Sequence, residues 1–288
     1  VKCIKKYCKG LAKRNINCNC PICRRPLTLQ AESMKSELKN DKLFTACRSG
    51  NLEDFNDAIY NGANINARNN LGYTPLHVAS DKDVASDKDV ARRLAGLASD
   101  KGNLEIVKLL IELGSNIEAR DDDGYTPLHM AIGEEVIEIV KLLIEKGANI
   151  EAQGNDGDTP LYMASMMGEL EIVKLLIEKG ANIEARIKLG DTPLHIASLA
   201  EELEVVKLLI ENGANIEARN KLGDTPLHYA SISGNLEVVK LLKNAIKQQR
   251  QSSQKYQESR KKIQDSKKKR ESRKAQGKKK KRKKSRNH

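Results

Sequence analysis

Apolar positions fall in short runs that return at a fixed interval. In GDTPLHIASLAEELEVVKLLIENG, residues 190–213, Leu194, Ile196 and Ala197 open one run, a polar turn follows, and Leu203, Val206, Leu209 and Ile210 recur at helical spacing. The pattern predicts two short helices placed back to back. Thr192 can cap the first, with Pro193 as its first residue, where a missing N–H costs nothing. Gly213 stops the second, because glycine tolerates the left-handed conformation that commonly closes a helix. The following ANIEARNKLGD reads as an extended excursion with a tight turn.

The Thr-Pro pairs set the register. Thr126, Thr159, Thr192 and Thr225 are each 33 residues apart, and Thr74 precedes Thr126 by one such period plus 19 residues. A fixed period of this length predicts a solenoid, because one helix pair cannot bury its own apolar face and must stack on neighbours. Six units begin near Asp41, Thr74, Thr126, Thr159, Thr192 and Thr225. The first reads DKLFTACRSGNLEDF and lacks the TPLH box, yet keeps Gly50 and Gly62 in place, as an N-terminal capping unit would. The surplus 19 residues lie at about 83–101: VASDKD at 78–83 is repeated at 84–89, and deleting 83–101 restores HVASDKGNLEIV. A slipped duplication between the unit's two helices explains it. Either a tolerated expansion or a lid is consistent with that position.

The period, the TPLH box, the glycine between helices and the GANIEA exit closely resemble the ankyrin repeat, over roughly residues 41–246. The resemblance implies an all-α-dominated repeat solenoid: stacked helix pairs with β-hairpin tips. It also implies that tips and first helices form a concave surface for a protein partner. Candidate contacts at the tips are Tyr73, Asp123, Tyr125, Leu189 and Leu222, and in the turns after the first helices Met166, Met167, Leu199 and Ile232. Such methionine and aliphatic side chains either form an adaptable apolar strip or pack inside the turn. His77, His129, His195 and His228 share one place in the repeat, and Tyr162 takes it in the fourth unit. The resemblance gives them a structural role, hydrogen bonding between loops of adjacent units. No nucleophile, base and orienting group converge, and no glycine-rich phosphate loop occurs, so the solenoid is not expected to be an enzyme.

Composition agrees with a core of Leu, Ile, Val and Ala: 39% of residues are apolar and there is no Trp. The net charge of +12 hides an asymmetry. Residues 41–242 hold 20 Lys/Arg against 34 Asp/Glu, whereas residues 243–288 hold 21 against 3, so an acidic solenoid ends in a strongly basic tail. The sixth unit has Ile246 where its neighbour has Gly213, and KNAIKQQRQSSQKYQESRKKIQ can continue as helix. In the basic tail, 247–288, the part beyond that helix, KKKRESRKAQGKKKKRKKSRNH at 267–288, cannot bury a core and is expected to be disordered. Lys278, Lys279, Lys280, Lys281, Arg282, Lys283 and Lys284 resemble a nuclear-localisation signal. They also suit nonspecific nucleic acid or anionic lipid, or would fold back onto the acidic repeats.

Five of six cysteines lie between Cys3 and Cys23, and Cys20 and Cys23 form a Cys-x-x-Cys pair stiffened by Pro21. Such a pair can give zinc two thiolates from one turn. CPICRRPL, after CIKKYCKGL, resembles the end of a RING-type zinc finger. The resemblance implies Cys3, Cys20 and Cys23 as zinc ligands, and Pro21, Ile22 and Arg24 as contacts for a ubiquitin-conjugating enzyme. Residues 1–27 would then be the C-terminal half of a RING finger whose front half lies upstream of Val1, and zinc would bind only if that half is present. A Cys-only zinc site involving Cys3, Cys8, Cys18 or Cys20, and an inert cysteine-rich segment, are the alternatives. Residues 28–40 read as a linker. No apolar run is long enough to span a membrane, and clustered cysteines without an apolar leader point to the cytoplasm or nucleus. The functional expectation is a protein-binding scaffold that recruits substrate for a RING-type ubiquitin ligase. The alternative is a non-enzymatic adaptor held to nucleic acid by its tail.

Overall fold

A Thr-Pro pair starts most of the units because it solves the first problem of a short helix, its unsatisfied N–H groups. The computed structural model describes residues 27–81, 103–133 and 136–284, with backbone alone for 27–33, 253 and 269–284. Thr74, Thr192 and Thr225 each take extended backbone. Their hydroxyls accept from the backbone N–H three residues on, where a histidine ring nitrogen accepts in return from the threonine N–H. This is a capping box with histidine as its third-position partner.

Twelve helices are described: α1 (Leu27–Ser49), α2 (Leu52–Tyr60), α3 (Pro75–Ser80), α4 (103–112), α5 (Pro127–Gly133), α6 (Ile137–Glu145), α7 (Pro160–Met167), α8 (Leu170–Glu178), α9 (Pro193–Leu199), α10 (Leu203–Glu211), α11 (Pro226–Ser233) and α12 (Leu236–Lys284). They form six antiparallel pairs. First helices pack on first helices along α1, α3, α5, α7, α9 and α11, and second helices likewise along α6, α8, α10 and α12. One continuous core runs from Leu43 to Leu242.

In α10 the side chains carried inward are Val205, Val206 and Leu209, with Leu203 and Ile210 half-buried at its edges; α8 repeats this with Ile172, Val173 and Leu176. Each such side chain contributes about 1.5–3 kcal/mol when fully buried. Gly213 ends α10 in the two-bond pattern common at helix ends: its N–H donates to Ile210 O at 3.0 Å, and Ala214 N–H to Leu209 O at 3.0 Å. Its φ of +91° is why glycine stands there. In the fifth unit Glu201 occupies the left-handed position, at φ +66°, that Gly168 and Gly234 hold in its neighbours.

Three details differ from the sequence-based expectation. Residues 28–40 are not a linker but part of α1, which runs without a break into the first unit's core residues Leu43, Phe44, Ala46 and Cys47. The helix expected over 243–264 forms and runs further than expected, through residues 267–284: α12 continues from the sixth unit to Lys284, because a packed helix has already met the cost of nucleation and Lys, Arg and Gln propagate it well. The tips are tight turns, such as Asn69 to Tyr73, and no β-strand forms among the described residues, since neighbouring tips share only one backbone hydrogen bond each. The insertion at 83–101 lies outside the described residues.

Candidate functional site

The tips stack into a ladder. Asp122 N–H donates to Leu71 O at 3.3 Å, Asn155 N–H to Asp123 O at 2.8 Å, Lys188 N–H to Asp156 O at 2.8 Å, and Lys221 N–H to Leu189 O at 3.0 Å. Below the tips the GANIEA exits are joined in the same way. Glu118, Glu151 and Glu184 accept from the backbone N–H of Asn149, Asn182 and Asn215 at 2.7–2.8 Å. The asparagines hold the turn themselves, Asn182 Oδ1 accepting from Glu184 N–H at 3.0 Å. Those two side chains explain the exit sequence.

The histidines link unit to unit. His77, His129 and His195 are wholly buried, and in each Nδ1 accepts from the backbone N–H of the capping threonine at 3.1–3.2 Å. The proton therefore sits on Nε2, which donates to Tyr125 O at 3.0 Å, Asp158 O at 3.3 Å and Asp224 O at 3.2 Å respectively. Burial lowers the His129 pKa to about 4, against the raising effect of its bond to Asp158, and lowers those of His77 and His195 as well. These are neutral, load-sharing rings without a metal-binding arrangement. Among the described residues no group of three or more His, Cys, Asp or Glu is placed to hold a metal ion.

The expected partner contacts divide into two sets. Met166, Met167, Leu189, Leu199, Leu222 and Ile232 are exposed, from 38% for Leu199 to 76% for Leu222, so they do not pack inside their turns. Asp123 is exposed as well, next to Asp122. Tyr73 and Tyr125 are half-buried and engaged within the stack: Tyr73 stacks on His77 with centroids 5.9 Å apart, and Tyr125 lies 5.3 Å from His129. Burial and the Asp158 carboxylate push the Tyr125 phenol up to about 12. Sequence reasoning missed Tyr229, which meets His195 edge-on at 5.5 Å and donates to Asp191 Oδ2 at 3.0 Å. The lysines Lys188 and Lys221 are exposed beside Leu189 and Leu222 at their tips. A tyrosine four residues after the capping threonine, where other units carry Val, Met or Ile, was the available signal for Tyr229.

Cys47 is a buried free thiol whose pKa burial raises to about 12, so it is not a nucleophile. Cys3, Cys20 and Cys23, with Pro21, Ile22 and Arg24, lie outside the described residues. Lys278 to Lys284 belong to α12. No helix among the described residues is long and apolar enough to cross a membrane.

Stacked helix pairs joined tip to tip, exit to exit and histidine to carbonyl define a helical repeat solenoid. The family model described as ankyrin repeats (3 copies) matches residues 94–187 and 182–252, more than half of the chain, and the chain belongs to the ankyrin-repeat family. Protein fem-1 homolog A of Danio rerio is 35% identical over 74 residues, covering 25% of this chain and 11% of that protein. Protein phosphatase 1 regulatory subunit 27 of Mus musculus and of Homo sapiens is 54% identical over 33 residues, 12% of this chain and 21% of each relative. The alignments thus span at most about a fifth of these relatives and are similarities of repeats. As an ankyrin-repeat stack the chain is a protein-interaction scaffold.

Proposed function

We propose that the scaffold grips its protein partner over the fourth to sixth units, with Met166, Met167, Leu199 and Ile232 in the turns and Leu189 and Leu222 at the tips. The observation that carries this is their shared exposure in units whose other large apolar side chains are mostly buried or half-buried. Lys188 and Lys221 beside the leucines, against Asp122, Asp123 and Asp156 further up, give the surface a charge gradient that orients a partner. The test is site-specific photo-crosslinking from Met167 and Leu199, with Lys207 on a second helix as control, followed by titration of the captured partner. Leu199→Asp and Ile232→Asp should each weaken binding at least about tenfold; unchanged affinity in both would remove this surface from the account.

A ligase role is a proposal of different standing, supported by the resemblance of residues 1–27 to part of a RING finger. In it Cys3, Cys20 and Cys23 hold zinc together with ligands supplied upstream, Pro21, Ile22 and Arg24 meet the conjugating enzyme, and the repeats choose the substrate. Ubiquitin discharge that slows on Arg24→Ala tests it. The seven-residue basic run Lys278–Lys284 supports a further reading, nonspecific nucleic-acid attachment and nuclear import through that run. Its tests are salt-dependent binding to duplex DNA and the distribution of a fluorescent fusion lacking that run.

A further inference from the structure

The third and fifth units each hold the next with the same three groups. A tip carbonyl accepts from the following tip, as Leu189 O does from Lys221 N–H. An arginine at the tip's base donates to its own tip and to the next unit: Arg186 Nη1 to Gly190 O and to Arg219 O, both at 2.8 Å, and Arg120 Nη1 likewise to Gly124 O and Gln153 O. The third is the histidine Nε2–H, which reaches a carbonyl of the next tip.

In the sixth unit all three groups are present and none is used in this way among the described residues. Leu222 O receives no hydrogen bond, and Arg219 Nη1 donates only to Gly223 O at 2.8 Å. His228 Nδ1 lies 3.3 Å from Thr225 N and 3.2 Å from Asp224 Oδ1, and its Nε2 has no hydrogen-bond partner among the described residues; 54% of its side chain is exposed. Arg219 and His228 border a cavity of about 510 Å³ whose floor is Ile216, Leu227 and Ile246 and whose mouth also carries Lys243 and Arg250. Arg250 is tied to Glu217 at 2.6 Å, the carboxylate that in earlier units binds the next exit turn.

We infer that this cavity docks an acidic, extended segment of a partner protein in the position a seventh tip would take. The earlier units show what fits the donors: backbone carbonyls of an extended tip, presented by Asp158 and Asp224 in two of the three histidine bonds. The cations at the mouth select a segment carrying carboxylates. A peptide added to the ladder's open edge gains main-chain hydrogen bonds in a register the chain itself defines. The site adjoins Leu222 of the proposed partner surface, but Arg219 and His228 are not part of that surface and Met167 and Leu199 are not part of this site, so the failure of one and of the other are separable.

The probe is a fluorescein-labelled peptide with this chain's own fourth tip, QGNDGDTPLY (residues 153–162), titrated into the full chain beside a scramble of the same composition. The ordered peptide should bind at least about tenfold more tightly than the scramble. His228→Ala and Arg219→Ala should each weaken it about two- to tenfold, the loss of one hydrogen bond, while the chain stays folded, the first giving up only its part in the Thr225 capping box and its contact with Asp224, and the second only its bond to Gly223 O, a small loss of stability each. Equal binding of peptide and scramble would mean that α12 merely collects negative charge, and overturns the assignment. So would equal affinity in both variants, or no binding at 1 mM peptide. Self-association of the chain that His228→Ala abolishes would give the cavity to a second copy and also overturn it.

Discussion

Tyr125 and Asp158 belong to adjacent repeats and are joined by a 3.0 Å hydrogen bond from the phenol O–H to Oδ2. The same relation recurs between Tyr229 and Asp191, there running from a later unit back to an earlier one. The first ties tip to tip and the second ties a first helix to a tip, each across a unit boundary. Tyr125→Phe should therefore lower stability by about 1 kcal/mol, measured by denaturant unfolding, and Asp158→Asn should follow it without adding the full second loss.

The same tyrosine explains Gly154. A Cβ at that position would lie 2.6 Å from one ring carbon of Tyr125 and 2.9 Å from another. Gly154→Ala should cost about 1–3 kcal/mol by overpacking. Much of the loss should return in the Gly154→Ala/Tyr125→Leu double variant, and a double-mutant cycle with strong coupling between the two sites checks this.

The buried histidines make the stack acid-sensitive. The unfolded chain protonates histidine near pH 6.5, whereas folded His129 resists until about pH 4, first because burial disfavours its charge. Above pH 6.5 neither state binds that proton and the contribution is complete. Between pH 6.5 and 4 only the unfolded state binds it, so stability falls with pH, by about 3 kcal/mol for His129 alone. His77 and His195 act in the same direction. Unfolding titrations at pH 7 and pH 4.5 should show this loss, and His129→Gln should reduce the slope.

Glu201 holds a left-handed backbone that a Cβ disfavours by roughly 1–2 kcal/mol. Glu201→Gly restores the residue found at that place in the fourth and sixth units. It should raise stability by up to about 1 kcal/mol, the relief being partly offset by glycine's greater freedom when unfolded. A higher denaturation midpoint with an unchanged slope would confirm it.

Most of the architecture was legible because the period is strict and each repeated residue has one job: threonine caps, proline starts, glycine closes, leucine and valine fill. What was not legible depends on neighbours the sequence does not show. The helix over 28–40 carries little apolar periodicity and becomes visible only through its continuity with Leu43 and Phe44. The continuation over 243–264 was legible from the missing glycine at Ile246, whereas residues 267–284 were read from composition, which ignores the packed turns of α12 that nucleate the helix. At the candidate surface, exposed Leu222 and Ile232 were readable from apolar residues in turn positions. The engagement of Tyr73 and Tyr125 was not, since a ring's stacking partner is set by the unit fold rather than by its own segment.

Beyond Arg250 the hydroxyls of Ser252, Ser259 and Ser266 donate to carbonyls of α12 itself. Ser259→Pro should accordingly remove helical ellipticity without shifting the unfolding of the repeats. Circular dichroism and tyrosine fluorescence, followed in one denaturant series, separate the two effects.

That continuation turns the tail from a leash into a boom. From Arg250 to Lys284 it extends about 50 Å at the rise of an α-helix, and a rod fixes the shortest as well as the longest separation between what is held at its two ends. Cargo on the repeats is thus kept at arm's length from whatever anchors the basic terminus. Any pull on that anchor is delivered straight into Val238 and Leu242, the last rung of the core, so the array would come apart from its C-terminal end, one unit at a time.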